Sequence, residues 1–333
     1  MTKKIGFILF IFSVMVLAAC NEESGKDQAA SASGEQGSKG THNTVTIEDG
    51  IGKQTIEGVP KRVVVLEWTY VEHLLPLGIE PVGVSDVEGY NKWVNVGEPL
   101  ADSTTDVGTR AEPNLEAIAR LKPDIIIGAK YRHEGIIDEL ESIAPTVLFA
   151  PYSKEGADNQ YQHLLDEFNT VAKIFDKQDQ AEEVKQNLEQ TFKKQGTRIK
   201  EAGYKNIEAV VTQAFTSQNT PTMRLFTDNS VVAGVLEKMD VGNAVENDQP
   251  EAYGFISTTV EALQNYQDAH LFYLVQEDDN IFSNQFADNP AWTNLDFVKE
   301  NRTYKLPGDM GTFAGPLSAE RLAKEIADSL VEK

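Results

Sequence analysis

Short apolar runs alternate with amphipathic patterns in the chain after residue 60. Apolar runs rich in β-branched residues predict buried strands, and apolar residues spaced three or four apart predict helices. The predicted strands and helices alternate, which favours a parallel α/β layer covered on both faces. The predicted strands are 61–68, 81–85, 123–129 and 145–150, and the predicted helices are 70–78, 115–121 and 133–144.

A longer helical pattern begins at Gln160, where apolar residues fall on one stripe through Phe175. A mostly charged helix is predicted next, over 180–199, and the α/β alternation then resumes. The predicted strands of this last part are 207–213, 224–227 and 270–275, and the predicted helices are 230–239, 258–266 and 317–333.

This order predicts two α/β lobes, 44–159 and 179–333, joined by a single long rigid helix over 160–178. A helix of about sixteen residues spans roughly 24 Å, which is enough to bridge two lobes. The loops that face each other between such lobes form a cleft, and that cleft is where a functional site is expected.

Residues 1–43 are predicted to lie outside the folded body. Within 1–20, two lysines are followed by an uncharged apolar run, which is typical of a secretory signal. The run ends in Leu17-Ala18-Ala19-Cys20, which resembles the lipobox of bacterial lipoproteins, where the cysteine becomes the lipid-bearing (palmitate) first residue. An ordinary signal peptide with an incidental cysteine is the alternative. Residues 21–43 hold no large apolar side chain and predict a flexible tether, so the body is expected at the outer face of the cell membrane, anchored by lipid alone.

The net charge of −22, from 52 acidic and 30 basic residues, argues against a nucleic-acid partner and against electrostatic adhesion to anionic lipid. Because Cys20 is the only cysteine, disulfides, cysteine zinc ligands and cysteine nucleophiles are excluded. The five histidines are scattered, which disfavours direct capture of a bare metal ion.

Signatures of catalysis are missing from the sequence: it has no G-x-S-x-G elbow, no Walker-type phosphate loop, no G-x-G-x-x-G and no H-E-x-x-H. No enzymatic activity, cofactor or resident metal is therefore expected. A carboxylate pair for glycoside cleavage stays open as an alternative, because acidic residues are abundant.

Three arginines lie where an α/β cleft would have its lining. Arg110 lies in a Gly-containing turn before Pro113, which is predicted to be the first position of a helix. Arg132 follows the strand 123–129, and Arg224 begins a later strand and is the weaker candidate. The alternative for Arg110 and Arg132 is a solvated arginine or one paired with a nearby glutamate.

Aromatic residues lie in similar positions. Trp93 is predicted in a loop, where it fits buried packing and a pocket wall equally well. Tyr253 and Phe255 flank Gly254, and Phe313 lies in a Gly-rich loop before the last helix. Trp68, at the carboxyl end of the first predicted strand, borders the cleft in one interpretation, but a core position is favoured.

A resemblance to the bacterial ferric-hydroxamate substrate-binding proteins of ABC importers is carried by RVVVLEW, LLPLGIEPVGVSD, YNKWV, DVGTRAEPNLE and LKPDIII, in this order and spacing. It extends over the mature chain and is strongest over 61–127. The resemblance implies the fold of class III periplasmic binding proteins, with two lobes joined by one rigid helix. It also implies a monomer that binds a ferric siderophore, whose chelator holds the iron, and delivers it to a permease and through it to an ATPase.

The resemblance implies roles for particular residues. Arg110 would bond the iron-coordinating oxygens of the siderophore, and Glu116 and Glu261, one on each lobe, would dock against arginines of the permease. The implied pocket aromatics are Trp93, Tyr253 and Phe313.

Two departures from the family pattern bear on the ligand. Gly128 stands where members of enteric type have a pocket tryptophan, and Arg132 stands where they have an aromatic residue. A guanidinium pairs bidentately with carboxylate, so a citrate-hydroxamate siderophore or ferric citrate is expected rather than a neutral trihydroxamate. The alternatives are a haem- or cobalamin-binding protein of an importer, a lipid-anchored hydrolase, and an adhesin or scaffold without a pocket.

Overall fold

The computed structural model describes residues 44–313 and 315–332. The predicted signal peptide 1–20, the lipid attachment at Cys20 and the tether 21–43 lie outside these residues. Within the described ranges, no helix combines the length and the apolar character that crossing a membrane requires.

The first lobe is built on a hairpin and a parallel sheet. Strands β1 (Thr44–Asp49) and β2 (Gly52–Glu57) pair antiparallel. The parallel strands are β3 (Val63–Val65), β4 (Gly83–Val84), β5 (Thr105–Asp106), β6 (Ile125–Ala129) and β7 (Thr146–Phe149), in the order β5-β4-β3-β6-β7. The neighbouring interior strands β3 and β6 are fully buried, which explains why their sequences are continuously apolar.

Helices cover both faces of this sheet. They are α1 (Trp68–Leu74), α2 (Val87–Trp93), α3 (Leu115–Leu121), α4 (Lys130–His133), α5 (Ile137–Glu141) and α6 (Lys154–Asp158), with 3₁₀ turns at Leu75–Leu77 and Glu134–Ile136.

Three predicted element ends are wrong by a few residues. The first strand ends at Val65 and Trp68 begins α1, because the Glu67 side chain caps this helix. Trp93 is the last residue of α2 and not part of a loop. Pro113 precedes the helix: Asn114 is the cap of α3, and its side chain accepts a hydrogen bond from the Ala117 amide at 3.0 Å.

Helix α7 (Gln160–Ile174) connects the lobes and contributes to both cores. Tyr161 and Leu164 pack in the core of the second lobe, and Phe168 and Val171 pack in the core of the first. The helix ends before residue 178, because the chain turns through a left-handed residue, Asp176, at φ 55°.

The second lobe has a mixed sheet. Its strands are β8 (Glu208–Ser217), β9 (Thr220–Phe226), β10 (Gly242–Asn243), β11 (Phe255–Thr258), β12 (His270–Val275) and β13 (Thr303–Pro307), in the order β11-β9-β8-β12-β13 with β10 beside β8. Strand β9 runs antiparallel to both β8 and β11. The sequence pattern did not predict β11, β13 or the hairpin of β1 and β2.

The helices of the second lobe are α8 (Gln178–Glu201), α9 (Val231–Lys238), α10 (Pro290–Thr293), α11 (Asp296–Lys299) and α12 (Pro316–Val331), with 3₁₀ helices at Val260–Tyr266 and Glu277–Asp279. The predicted helix 258–266 is therefore a 3₁₀ helix. The predicted fold class, α/β lobes with a helix between them, is confirmed.

Candidate functional site

A cavity of about 740 Å³ lies between the two lobes. From the first lobe it is lined by α1, the end of α2, α4, and the segments after β5 and β7; from the second lobe, by β8, β9, β11 and the loop before α12. All seven residues predicted to contact a ligand lie in its wall: Trp68, Trp93, Arg110, Arg132, Arg224, Tyr253 and Phe313. The fold thus brings together residues from distant parts of the chain.

Arg110 is held in place from several sides. Its Nη1 donates to Oε1 of Glu67 at 2.7 Å, and its Nε lies 3.7 Å from a carboxylate oxygen of Asp86. Its guanidinium carbon lies 3.6 Å from the centroid of the Trp68 ring. Among the described residues, no acceptor contacts Nη2, so one corner of the guanidinium is left for a ligand.

Glu67 also holds Arg132. The Nε of Arg132 donates to Oε2 of Glu67 at 2.7 Å, and the Tyr131 hydroxyl donates to the same oxygen at 2.9 Å. Burial by itself would raise the pKa of the Glu67 carboxyl, but the charges and hydrogen bonds of Arg110 and Arg132 lower it below its ordinary value. The carboxylate is therefore ionised at neutral pH and orients both guanidinium groups.

Glu67 is missing from the residues predicted from sequence, although it is the hub of this cluster. Arg110 and Arg132 both pair with a glutamate, as one interpretation of the sequence expected, and their contact with a ligand stays a prediction. The sequence signal that points to Glu67 is its position just beyond a buried strand, where parallel α/β sheets place ligand-facing groups.

Arg224 differs from the other two arginines because no carboxylate neutralises it within the described residues. Its guanidinium carbon lies 4.9 Å and 4.8 Å from the ring centroids of Phe215 and Phe255, and its Nη1 donates to Oε1 of Gln213 at 3.1 Å. Burial lowers the pKa of Arg224, yet a guanidinium remains protonated at neutral pH. Among the residues that the structure describes, this cation therefore has no carboxylate as counter-ion.

The charge of the cavity is opposite to that of the whole chain. Its lining carries three arginines, Arg110, Arg132 and Arg224, against one ionised carboxylate, Glu67. The net charge of the chain is −22. A positive, partly enclosed cavity in an acidic protein favours an anionic ligand.

Aromatic rings cross the cavity from one lobe to the other. The ring centroids of Tyr131 and Tyr152 are 5.1 Å apart, those of Tyr152 and Tyr253 are 4.7 Å apart, and those of Phe255 and Phe313 are 5.7 Å apart. Tyr253 is 51% exposed and can meet a ligand at the opening. Tyr131, Tyr152 and Phe215 were not predicted from the sequence.

Gly128 does not line the cavity. It is buried in β6, and a Cβ on it would lie 2.8 Å from Nδ1 of His133, so this space is already filled. The Ala129 amide donates to that Nδ1 at 3.0 Å, so Nε2 carries the ring proton and donates to the Arg110 carbonyl oxygen at 2.9 Å. In this chain, His133 occupies the position beside Gly128 and supports the turn of Arg110.

The two glutamates predicted to dock on a permease lie at the surface, away from the cavity. Glu116, in α3, has a side chain that is 91% exposed, with Arg120 at 3.7 Å. Glu261 is exposed at the start of the 3₁₀ helix and accepts a hydrogen bond from the Thr259 hydroxyl. Within the described ranges, no three His, Cys, Asp or Glu side chains form a possible metal site.

Comparison with known proteins gives consistent matches. The model of a family described as periplasmic binding protein matches residues 63–310. The Fe(3+)-citrate-binding protein YfmC of Bacillus subtilis is 32% identical over 329 residues, 98% of each chain. The iron(3+)-hydroxamate-binding protein FhuD of Escherichia coli is 25% identical over 81% of this chain and 87% of the relative.

A solved structure gives a similar result. The siderophore-binding protein FhuD from Vibrio cholerae, bound to Fe3+-Desferal, has a TM-score of 0.73 and 29% identity, over 81% of this chain and 98% of that chain.

Proposed function

The chain belongs to the periplasmic binding protein family, and we propose that it binds a ferric siderophore between its lobes and delivers the complex to the permease of an ABC importer. It acts by binding and release and makes or breaks no covalent bond. The chelator holds the iron, and the protein contacts the outer oxygens and arms of the chelator.

The observation that carries this proposal is the set of three arginines in an aromatic-lined cavity. Glu67 pairs with Arg110 and Arg132, and Asp86 lies near Arg110. Nη2 of Arg110 remains for anionic oxygens, and so does the guanidinium of Arg224, which pairs with no carboxylate among the described residues. Guanidinium groups bind carboxylates with charge-assisted, often bidentate hydrogen bonds. The neighbouring rings supply surface for apolar arms of the ligand.

The ligand class we propose carries carboxylates: ferric citrate or a citrate-hydroxamate siderophore. Arg110 and Arg132 on one lobe and Arg224 on the other face the cavity from opposite sides, so a ligand with several anionic groups can meet both lobes. The name of YfmC, a ferric-citrate-binding relative, supports this class.

Titration of tryptophan fluorescence tests the proposal, because Trp68 and Trp93 line the cavity. We expect ferric citrate to bind more tightly than the ferrioxamine complex, and iron-free citrate to bind more weakly than both. Saturation by haem or cobalamin alone would indicate a different cargo. Recovery of a chemically altered ligand would indicate a hydrolase, whereas an unaltered ligand at one equivalent supports a binding protein.

We also propose that the chain is held by lipid on Cys20 at the outer face of the cell membrane, as a monomer. The support is the lipobox-like segment that ends at Cys20 and the polar composition of 21–43. Cells fed with labelled palmitate should label the wild-type chain and not Cys20→Ala. Equal labelling of both would contradict the anchor.

A further inference from the structure

Glu72 is a fully buried carboxylate that reaches from one lobe to the other. It lies in α1 of the first lobe and has no exposed surface. Its Oε2 accepts hydrogen bonds from the amides of Gly315 at 3.0 Å and Ser318 at 2.9 Å, and its Oε1 accepts one from the Ser318 hydroxyl at 2.8 Å. All three donors belong to the start of α12 in the second lobe.

These bonds replace a cap that α12 does not supply itself. The capping position is Gly315, which has no side chain to accept from the free amides of the first turn. A carboxylate at this end of a helix also meets its positive dipole. Gly315 suits the contact, since a Cβ there would lie 2.6 Å from Cβ of Glu72.

Thr69 adds a second bond between the same two segments. It lies one turn before Glu72 in α1, and its hydroxyl donates to the carbonyl oxygen of Phe313 at 3.0 Å. Phe313 lines the cavity, and so does Trp68 at the start of α1, on which Arg110 rests. Helix α1 therefore supports the arginine on one wall and is bonded to the segment that forms the opposite wall.

We propose that Glu72 is a positioning residue that latches the lobes together across α1 and α12 and so sets the width of the cavity. The inference rests on the proposed function only in taking that cavity as the ligand site. Helix α7 joins the lobes covalently. Other hydrogen bonds also cross between the lobes, such as that from Asn95 Nδ2 to Asp309 Oδ2 at 3.0 Å, and Glu72 differs from these partners in being fully buried.

The charged groups around Glu72 leave it without a counter-ion. Within the described residues no cation forms an ion pair with it, and on α12 Arg321 pairs with Asp309 while Glu320 pairs with Lys324. From α2, the titratable group that senses its charge is the phenol of Tyr90, whose pKa is raised by burial and by Glu72.

The strength of the Glu72 latch is expected to fall as pH rises. Burial raises the pKa of Glu72 to about 7, against the lowering effect of its three hydrogen bonds. Opening of the lobes would hydrate the carboxyl and return its pKa towards the ordinary value, so the closed form binds the proton more tightly. A rise in pH through neutrality therefore favours opening.

Distances between nitroxide labels test the latch without any ligand. Double electron–electron resonance reports the separation of the lobes when one nitroxide is attached to each lobe. The labels are placed at Arg120→Cys in α3 and Lys299→Cys in α11, which are both exposed. Cys20→Ser removes the native cysteine, so that only these two positions are labelled. We expect the wild-type distribution to shift to longer distances from pH 5.5 to 8.5. Glu72→Gln, which keeps the shape and cannot ionise, should show the shorter distance at both values.

An unchanged wild-type distribution, or the same pH response in Glu72→Gln, would overturn the latch. Ser318→Ala provides a second check that does not alter Glu72 itself. It removes one of the three hydrogen bonds of the latch and leaves the ionised closed form less stable, so the midpoint of the opening should move to lower pH. A midpoint that stays or moves to higher pH contradicts the proposal.

Ferric citrate binding separates this inference from the proposed function. At pH 6.5, Glu72→Ala should weaken binding about tenfold, which corresponds to about 1.4 kcal/mol, while Glu72→Gln stays near wild type. Equal affinities for all three chains would overturn the positioning role. If none of them binds ferric citrate while the distances respond to pH as expected, the ligand assignment fails and the latch stands.

Discussion

The guanidinium of Arg110 lies over the indole ring of Trp68, with 3.6 Å between the guanidinium carbon and the ring centroid. The ring is itself fixed, since its Nε1 donates to the carbonyl oxygens of Ser85 at 3.1 Å and Asp86 at 3.2 Å. Trp68 packs against the first-lobe core and also borders the cavity. The favoured sequence interpretation, a core position, therefore describes only one side of this residue.

Arg110→Lys tests whether Nη2 of that guanidinium bonds the ligand. Lysine keeps the charge but loses the fork and the planar contact with Trp68, so ferric citrate should bind roughly 10- to 100-fold more weakly, as for the loss of one charge-assisted hydrogen bond. Fluorescence titration measures this. Arg120→Lys, an exposed position in α3 of the same lobe, serves as the control and should bind as wild type does.

Arg132→Ala tests the ligand class. Arg132 lines the cavity with its Nε bonded to Glu67, and its guanidinium supplies a positive charge for carboxylates, so its removal should weaken ferric citrate more than the ferrioxamine complex. The two affinities are compared by the same titration. Equal weakening of both complexes would show that Arg132 does not select for carboxylate.

Arg224→Met should change stability and binding in opposite directions. The substitution removes a half-buried cation that pairs with no carboxylate in the described part of the chain, and it keeps apolar contact with Phe215 and Phe255, so the thermal midpoint should rise. Affinity for ferric citrate should fall, because the counter-charge on the second lobe is gone. Calorimetry and titration measure the two effects, and a fall in both would mean that Arg224 is mainly structural.

Glu67→Gln should lower stability in a pH-dependent way. The pKa of Glu67 is lowered in the folded chain, so its contribution is present above the unfolded pKa and is lost as pH falls through the folded value. Near pH 7 the free energy of unfolding should fall by about 3 kcal/mol, as for breaking a buried ion pair. Urea unfolding should show a smaller difference from wild type at pH 3.5 than at pH 7.

Glu182 provides the matched control for Glu67. It is exposed on α8 and pairs with Lys185 at 2.9 Å, so Glu182→Gln should leave the unfolding curve unchanged at both pH values. Equal destabilisation of Glu67→Gln at both pH values would contradict the ionic role of Glu67.

Charge reversal at Glu116 and Glu261 should separate delivery from binding. Both side chains are exposed and away from the cavity, so Glu116→Arg and Glu261→Arg should bind ferric citrate with wild-type affinity. We propose that Glu116 and Glu261 dock against arginines of the permease, so uptake of labelled iron by cells that carry these variants should fall through charge repulsion. Normal uptake by both variants would refute the docking role.

Local sequence determined most of the elements. Helix α3 occupies Leu115–Leu121 as predicted, since its apolar spacing and the capping Asn114 both act within a few residues. The apolar strand β6 and the helices α7 and α9 follow the same logic. Where the predictions failed, as at Trp68 and Pro113, one side chain, Glu67 or Asn114, caps the helix and sets its first residue.

The partners of the charged residues were decided only by the tertiary structure. Glu67 meets Arg110 across 43 residues and Arg132 across 65, and Glu72 meets Ser318 across 246. In the sequence these two are ordinary acids among 52. Their roles arise because folding removes them from water: one carboxylate gains two guanidinium partners and stays ionised, and the other gains only amides and a hydroxyl, so its pKa rises to about 7.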